Sequence, residues 1–269
     1  MTIFTHVGFS KGGVKKTTTT IGLALRLAEL DNNVLVIDLD SQCDASRMLG
    51  VNYKDAGCST ADLYSESPIA TPVKVNSWLW RGSKEGVGSI SVIPANQGKL
   101  ADIAKNSDLT LINNFMQNSR KIGGDFDFVI FDTPPSLDIN QVAGLSACDF
   151  TILPLSCDFN NCGSEKVQEY LKVVKTVKKN FNQNLGSPIV ILTDVDLKGN
   201  LTKRYVEWAN NFFGSAKVDG FVEHSTAIPN AFDKLVKKAV WFRPASGNDR
   251  VKGNAFKSFL DNIIAKLSK

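Results

Sequence analysis

Paired thiols, histidine clusters, long apolar runs and a strong charge of either sign are all missing from this 269-residue chain. Its five cysteines, Cys43, Cys58, Cys148, Cys157 and Cys162, are an odd set without a Cys-x-x-Cys pair. A zinc or iron–sulfur site built on clustered thiolates is therefore not expected. The cysteines read instead as reduced, mostly buried thiols. The two histidines, His6 and His224, have no catalytic spacing and read as structural. No apolar run approaches the ~18 residues of a membrane-spanning helix. The first nine residues lack the basic and apolar regions of a signal peptide, so the expected location is the cytoplasm. A net charge of +4 is too small to make the whole molecule a nucleic-acid polycation.

What is present is the composition of a globular protein, 43% hydrophobic and 22% charged, in which a sizeable core needs no disulfide or metal staple. Short apolar runs alternate with amphipathic stretches. Strands are expected at Ile3–Gly8, Val34–Ile37, Ser89–Ile93, Phe126–Phe131, Phe150–Leu155, Pro188–Leu192 and Val218–Val222, with a helix over Thr17–Leu30. Continuous apolar strands indicate burial on both faces. Strand–helix repetition with right-handed crossovers then gives an α/β fold, a doubly wound, mostly parallel sheet with helices on both faces. Without internal repeats or a Pro/Gly-rich linker, residues 1–269 read as a single domain. Val51–Gly88, with Trp78 and Trp80 among polar residues, reads as a surface excursion.

Between the first strand and first helix lies Ser10-Lys-Gly-Gly-Val-Lys-Lys-Thr-Thr18. A glycine-bearing turn that opens a helix presents backbone N–H groups at the positive end of the helix dipole, and so cradles phosphates. Lys16 followed by Thr17 matches the end of a Walker A loop, in which the lysine grips the β/γ phosphates and the hydroxyl ligates magnesium.

Lys-Gly-Gly-Val-x-Lys-Thr-Thr, with an additional lysine heading the loop, resembles the deviant Walker A box of ParA/MinD-type ATPases. Val34–Gln42 (Val-Leu-Val-Ile-Asp-Leu-Asp-Ser-Gln) is similar to that family's switch I, and Phe126–Pro135 (Phe-Asp-Phe-Val-Ile-Phe-Asp-Thr-Pro-Pro) to its Walker B and switch II. The resemblance covers nearly the whole chain and is closest to the short, Soj-like ParA type. It implies a P-loop NTPase fold, ATP and Mg2+ as cofactors, and an ATP-sandwich homodimer. Lys11 through Thr18 (Lys11, Gly12, Gly13, Val14, Lys15, Lys16, Thr17, Thr18) would bind the nucleotide, with Pro229 near the adenine. Lys11 would cross to the partner's nucleotide. Thr17 would bind magnesium, Asp132 and Asp38 would support it through water, and Asp40 would orient the attacking water.

One departure from the family pattern falls in the phosphate loop itself. Lys15 stands where glycine is usual, a place where the backbone must approach phosphate closely or adopt angles a Cβ disfavours. Bulk and a third cation beside Lys11 and Lys16 are expected to weaken hydrolysis.

Charge is concentrated near the end of the sequence. Asp233–Lys269 carries nine basic residues against three acidic ones, a net +6, and leaves −2 on residues 1–232. Such a patch is the footprint of sequence-independent phosphate-backbone binding, with Arg243, Arg250, Lys252, Lys257 and Lys266 as contacts. Lys198, Lys203 and Arg204 form a second basic cluster. Non-specific DNA binding is also what the resemblance implies, together with a centromere-binding or adaptor protein that stimulates the ATPase. Ala227–Ala231 resembles the loop near the adenine but lacks the basic residue that often follows its proline. A basic amphipathic helix is expected over about 252–269. Its stripe of Phe256, Phe259, Leu260, Ile263, Ile264 and Leu267 either packs on the sheet or, as in MinD-like relatives, lies on a membrane. The competing function is thus a membrane-associated positioning ATPase. An iron–sulfur reductase of the same superfamily is disfavoured by the missing bridging cysteines.

Overall fold

The computed structural model describes residues 1–75, 88–158, 165–196, 198–225, 228 and 248–268. Among these residues seven strands are present: β1 (Ile3–Val7), β2 (Asn33–Asp38), β3 (Val73–Lys74), β4 (Ser89–Ile93), β5 (Phe128–Asp132), β6 (Phe150–Ser156) and β7 (Ile189–Thr193). They form one sheet in the order β3-β4-β2-β5-β1-β6-β7. Only the short edge strand β3 runs antiparallel to its neighbour. The other pairings are parallel, the P-loop NTPase form of the doubly wound sheet.

Alternation along the strands explains why they are apolar throughout. In β2, Val34 and Val36 point into one core while Leu35 and Ile37 point into the other. In β5, Phe128 and Ile130 divide from Val129 and Phe131 in the same way. Helix α1 (Lys16–Glu29) covers the first face together with the C-terminal helix, Asn248–Leu267. The second face is covered by α5 (Thr110–Gly123), α6 (Ile139–Ala147) and α7 (Glu165–Asn180). Smaller helices α2 (Asp44–Met48), α3 (Tyr53–Ala56) and α4 (Gln97–Ile103) lie between, and α8 (Asn200–Phe213) follows β7. We number the C-terminal helix α9.

In α9, Phe256, Phe259, Leu260, Ile263 and Leu267 are all buried, and Ile264 packs beside them. The apolar stripe is a core contact, not a free face. Arg26 of α1 fastens the helix further, donating to Asp261 at 2.6 Å and to Glu29 at 2.7 Å, while Lys257 donates to Glu29 at 3.0 Å.

Two expectations need correction. Val218–Val222 is not a strand, although Val218 and Val222 donate their N–H groups to Val190 and Leu192 of β7 at 2.8 and 2.9 Å. Between them Gly220, at φ 87°, turns the backbone out of register, and isolated bridges remain at Lys217 and Glu223. Nor is Val51–Gly88 wholly a surface excursion. Leu63 and Tyr64 are buried, and the Tyr64 hydroxyl donates to Asn140 Oδ1 at 2.8 Å. Trp78, Trp80 and Cys162 lie outside the described residues.

Candidate functional site

β1 is central, and its C-terminal end meets those of β5 and β6. The loop leaving it therefore opens where the strand order reverses, the crevice in which such sheets bind ligands. Gly13 turns the loop at φ 81°. Val14 is buried, and its carbonyl accepts from the Thr193 hydroxyl at 3.1 Å, which ties the loop to the end of β7. The half-buried Lys11 accepts the Lys16 ammonium on its carbonyl at 2.7 Å.

Lys16 itself is buried at 7% exposure, and burial pulls its pKa down against the opposing charges of Asp132 and Asp40. This poised cation would gain an anionic phosphate as partner. Thr17 donates to Asp132 Oδ2 at 2.8 Å, and Thr20, one turn on, donates to Oδ1 at 2.9 Å. Thr20 was not singled out from the sequence, although its i, i+3 relation to Thr17 puts both hydroxyls on one helix face. Thr18 is half-buried in the first turn of α1.

The carboxylates converge because their strands are in register, with Asp38 opposite Asp132. Asp38 accepts from the Asp40 N–H at 3.1 Å and from the Ser46 N–H and hydroxyl at 2.8 and 2.6 Å. Asp132 and Asp38 are fully buried, and burial raises both pKa values; the Asp38 charge adds to the rise of Asp132, and the Asp40 charge adds to both. Asp40 is raised by burial too. A hydroxyl beside two acids that form no ion pair among the described residues is a donor set suited to Mg2+, which keeps waters and phosphate oxygens in its shell. The residues therefore fit that ion.

Lys15 sits at φ 67°, ψ 30°, the left-handed conformation, as the residue preceding α1. That is the conformation for which glycine is used. Its ammonium points to Asp194 Oδ1 at 3.8 Å, and His224 Nδ1 lies 2.9 Å from the same oxygen. Asp194, itself at φ 56°, had no local signal in the sequence, because only the fold brings the end of β7 to the loop.

The basic candidates divide. Lys252 pairs with Glu223, Lys257 with Glu29, and Lys266 donates to the Ser215 carbonyl at 2.6 Å. Lys198, Lys203, Arg204 and Arg250 are exposed, and among the described residues they make no ion pair. The first three follow β7, at the same end of the sheet as the phosphate loop. Pro229 and Arg243 lie outside the described residues. A cavity of about 780 Å3 opens at the opposite end of the sheet from the phosphate loop, among Thr2, Arg120 and Asp149.

A parallel sheet whose central strand delivers a glycine-bearing loop and Lys-Thr onto a helix defines a P-loop nucleoside triphosphatase domain. The sequence profile of an AAA domain family, AAA_31, matches residues 3–187, a span holding the loop and all three carboxylates. The chain belongs to that family, as one of the ParA/MinD-type partition ATPases. It is 28% identical over 205 residues to the sporulation initiation inhibitor protein Soj of Bacillus subtilis (strain 168), covering 76% of this chain and 77% of that protein. To the chromosome partitioning protein ParA of Caulobacter vibrioides (strain NA1000 / CB15N) it is 26% identical over 225 residues, covering 82% and 80%. Its fold matches cobyrinic acid a,c-diamide synthase of Mycobacterium smegmatis with bound ADP and magnesium, at a TM-score of 0.76 and 21% identity over 100% and 96% of the two chains.

Proposed function

We propose that this chain binds ATP with magnesium and works as a partition-type switch. In this reading ATP promotes a sandwich homodimer, the dimer holds DNA without sequence preference, and a centromere-binding or adaptor protein stimulates hydrolysis and release. The observation that carries the reading is the convergence of Lys16, Thr17, Asp38, Asp40 and Asp132 at the loop end of the sheet. Phosphoryl transfer asks little covalent chemistry of a protein; it asks for charge neutralisation, in-line geometry and a placed water. Loop N–H groups and Lys16 would neutralise the β and γ phosphates. Thr17, Asp38 and Asp132 would hold Mg2+, which supplies further neutralisation of the same oxygens. Asp40 would orient the water, and Lys11 would reach the nucleotide of the second protomer. Lys15 would slow the reaction by crowding the loop with bulk and charge.

DNA would be held by Lys198, Lys203, Arg204 and Arg250, which make no ion pair among the described residues, together with Arg243. The membrane alternative loses its support in α9, whose stripe is buried. Among the described residues no helix is long and apolar enough to cross a membrane. A cytoplasmic, nucleoid-associated protein is the corresponding location. Co-sedimentation with non-specific duplex DNA and with anionic vesicles, each with ATP, ADP or neither, tests the reading. Retention on DNA with ATP alone is expected. Retention on vesicles without DNA binding would overturn it in favour of the membrane alternative.

A further inference from the structure

Beneath the phosphate loop lies a buried polar chain that the nucleotide chemistry above does not use. Tyr170 of α7, Thr151 of β6, His6 of β1 and Gln141 of α6 are all fully buried. The Tyr170 hydroxyl lies 3.4 Å from the Thr151 hydroxyl, which lies 2.9 Å from His6 Nδ1. Gln141 Nε2 donates to two carbonyls, Phe9 at 3.3 Å and Pro134 at 2.8 Å. Phe9 is two residues before Lys11, at the head of the phosphate loop. Pro134 is two residues after Asp132, in the turn that leaves β5. One amide therefore holds these two segments together.

Two atoms of these four side chains, His6 Nε2 and Gln141 Oε1, have no hydrogen-bond partner among the described residues. They converge on Gly8, where a Cβ would stand 2.7 Å from the one and 2.8 Å from the other. Glycine at this position keeps the space between them clear. The chemistry of the amide fixes the rest. Turned over, Gln141 would set its oxygen against two carbonyl oxygens, so the oxygen faces the space at Gly8 on the His6 side. A proton on His6 Nε2 would turn an N–H toward that oxygen, and Nδ1 would then accept from the Thr151 hydroxyl. Burial, reinforced by the Lys16 charge, lowers the His6 pKa to about 3, so the ring is neutral.

We propose that Gln141 is a positioning residue that clamps the phosphate loop to the turn after Asp132, and that His6 in its Nε2–H form sets the orientation of the clamping amide. This rests on the nucleotide-binding reading above. A diphosphate can be cradled by the loop N–H groups alone, whereas a terminal phosphate needs the loop and the Asp132 segment at a fixed separation. Loosening the clamp therefore selects between nucleotides, which a general loss of stability does not.

The test uses the full chain with Gln141→Met, similar in length but without the amide, and Gln141→Glu, similar in shape but without the donor. Titration calorimetry with Mg-AMPPNP and Mg-ADP is expected to weaken AMPPNP about fivefold more than ADP in both variants. Equal weakening of the two nucleotides, or none, would overturn the clamp. Should a variant fail to fold, nitrogen-15 NMR of the wild-type imidazoles still decides the arrangement. A neutral His6 protonated on Nε2 is expected at pH 6, and protonation on Nδ1 would overturn the proposal. A wild type that binds neither nucleotide refutes the nucleotide reading itself, whereas wild-type binding with an unchanged AMPPNP-to-ADP ratio in the variants refutes the clamp alone.

Discussion

Replacing Lys15 by glycine is the perturbation that separates conformational cost from catalytic cost. A side chain in the left-handed conformation costs roughly 1–2 kcal/mol, which glycine would relieve. Against this stands the Lys15–Asp194 pair, 3.8 Å long between groups about one-third exposed. Solvent screening limits such a pair to about 0–1 kcal/mol. Glycine also loosens the unfolded chain, at about 0.4–1 kcal/mol. The opposing contributions nearly cancel, so Lys15→Gly should leave stability within about 1 kcal/mol of the wild type, or about 2 °C in Tm for a chain of this size. Turnover should behave differently. Removing the third cation and its Cβ lets the loop close on the phosphates, and misplacement of reacting groups by about an ångström can cost a hundredfold. Phosphate release from ATP in the presence of duplex DNA should therefore rise about tenfold or more. A folded Lys15→Gly variant whose turnover equals that of the wild type would refute the steric and electrostatic argument.

Other expected outcomes follow from the same geometry. Asp132 is a buried carboxylate with a raised pKa, so its contribution to stability is present below the unfolded carboxylate value of about 4 and is lost as pH rises into the neutral range. Denaturant unfolding of Asp132→Asn without nucleotide should accordingly show a gain on the order of 1 kcal/mol at pH 8 that shrinks at pH 5, and added Mg-ATP should no longer stabilise the variant. Lys203→Ala with Arg204→Ala should weaken DNA retention and reduce the salt dependence by about two charges, whereas Lys257→Ala, whose ammonium is paired with Glu29, should leave that slope unchanged. Leu260→Ala removes a fully buried side chain of α9 and should cost about 2–5 kcal/mol by chemical denaturation. A loss below 1 kcal/mol would mean that α9 does not depend on the sheet for its stripe.

Much of the site was legible because it is local. Lys16, Thr17 and the loop glycines follow one strand directly, and Asp38 and Asp132 end two others, so strand periodicity alone aligns them once the strands pair in parallel. Lys15 was legible as an anomaly, and its φ of 67° gives the anomaly a backbone reason. What the sequence hid is either non-local or cancelled by a partner. Asp194 and Gln141 reach the loop only through tertiary contacts. The basic count near the end of the chain treated Lys252, Lys257 and Lys266 as available, but the fold engages all three in internal contacts. Val218–Val222 had strand composition, and the left-handed turn at Gly220 overrode it. The antiparallel β3 is two residues long, too short for any periodicity to register.

The central claim is that this loop holds ATP through Lys16. Its most direct test is calorimetric titration of Mg-ATP into the wild type and into Lys16→Ala. One ATP per chain in the wild type, weakened about tenfold or more by losing the charge-assisted contact to phosphate, is the predicted result. Absence of binding to the wild type, or undiminished binding to Lys16→Ala, would contradict it.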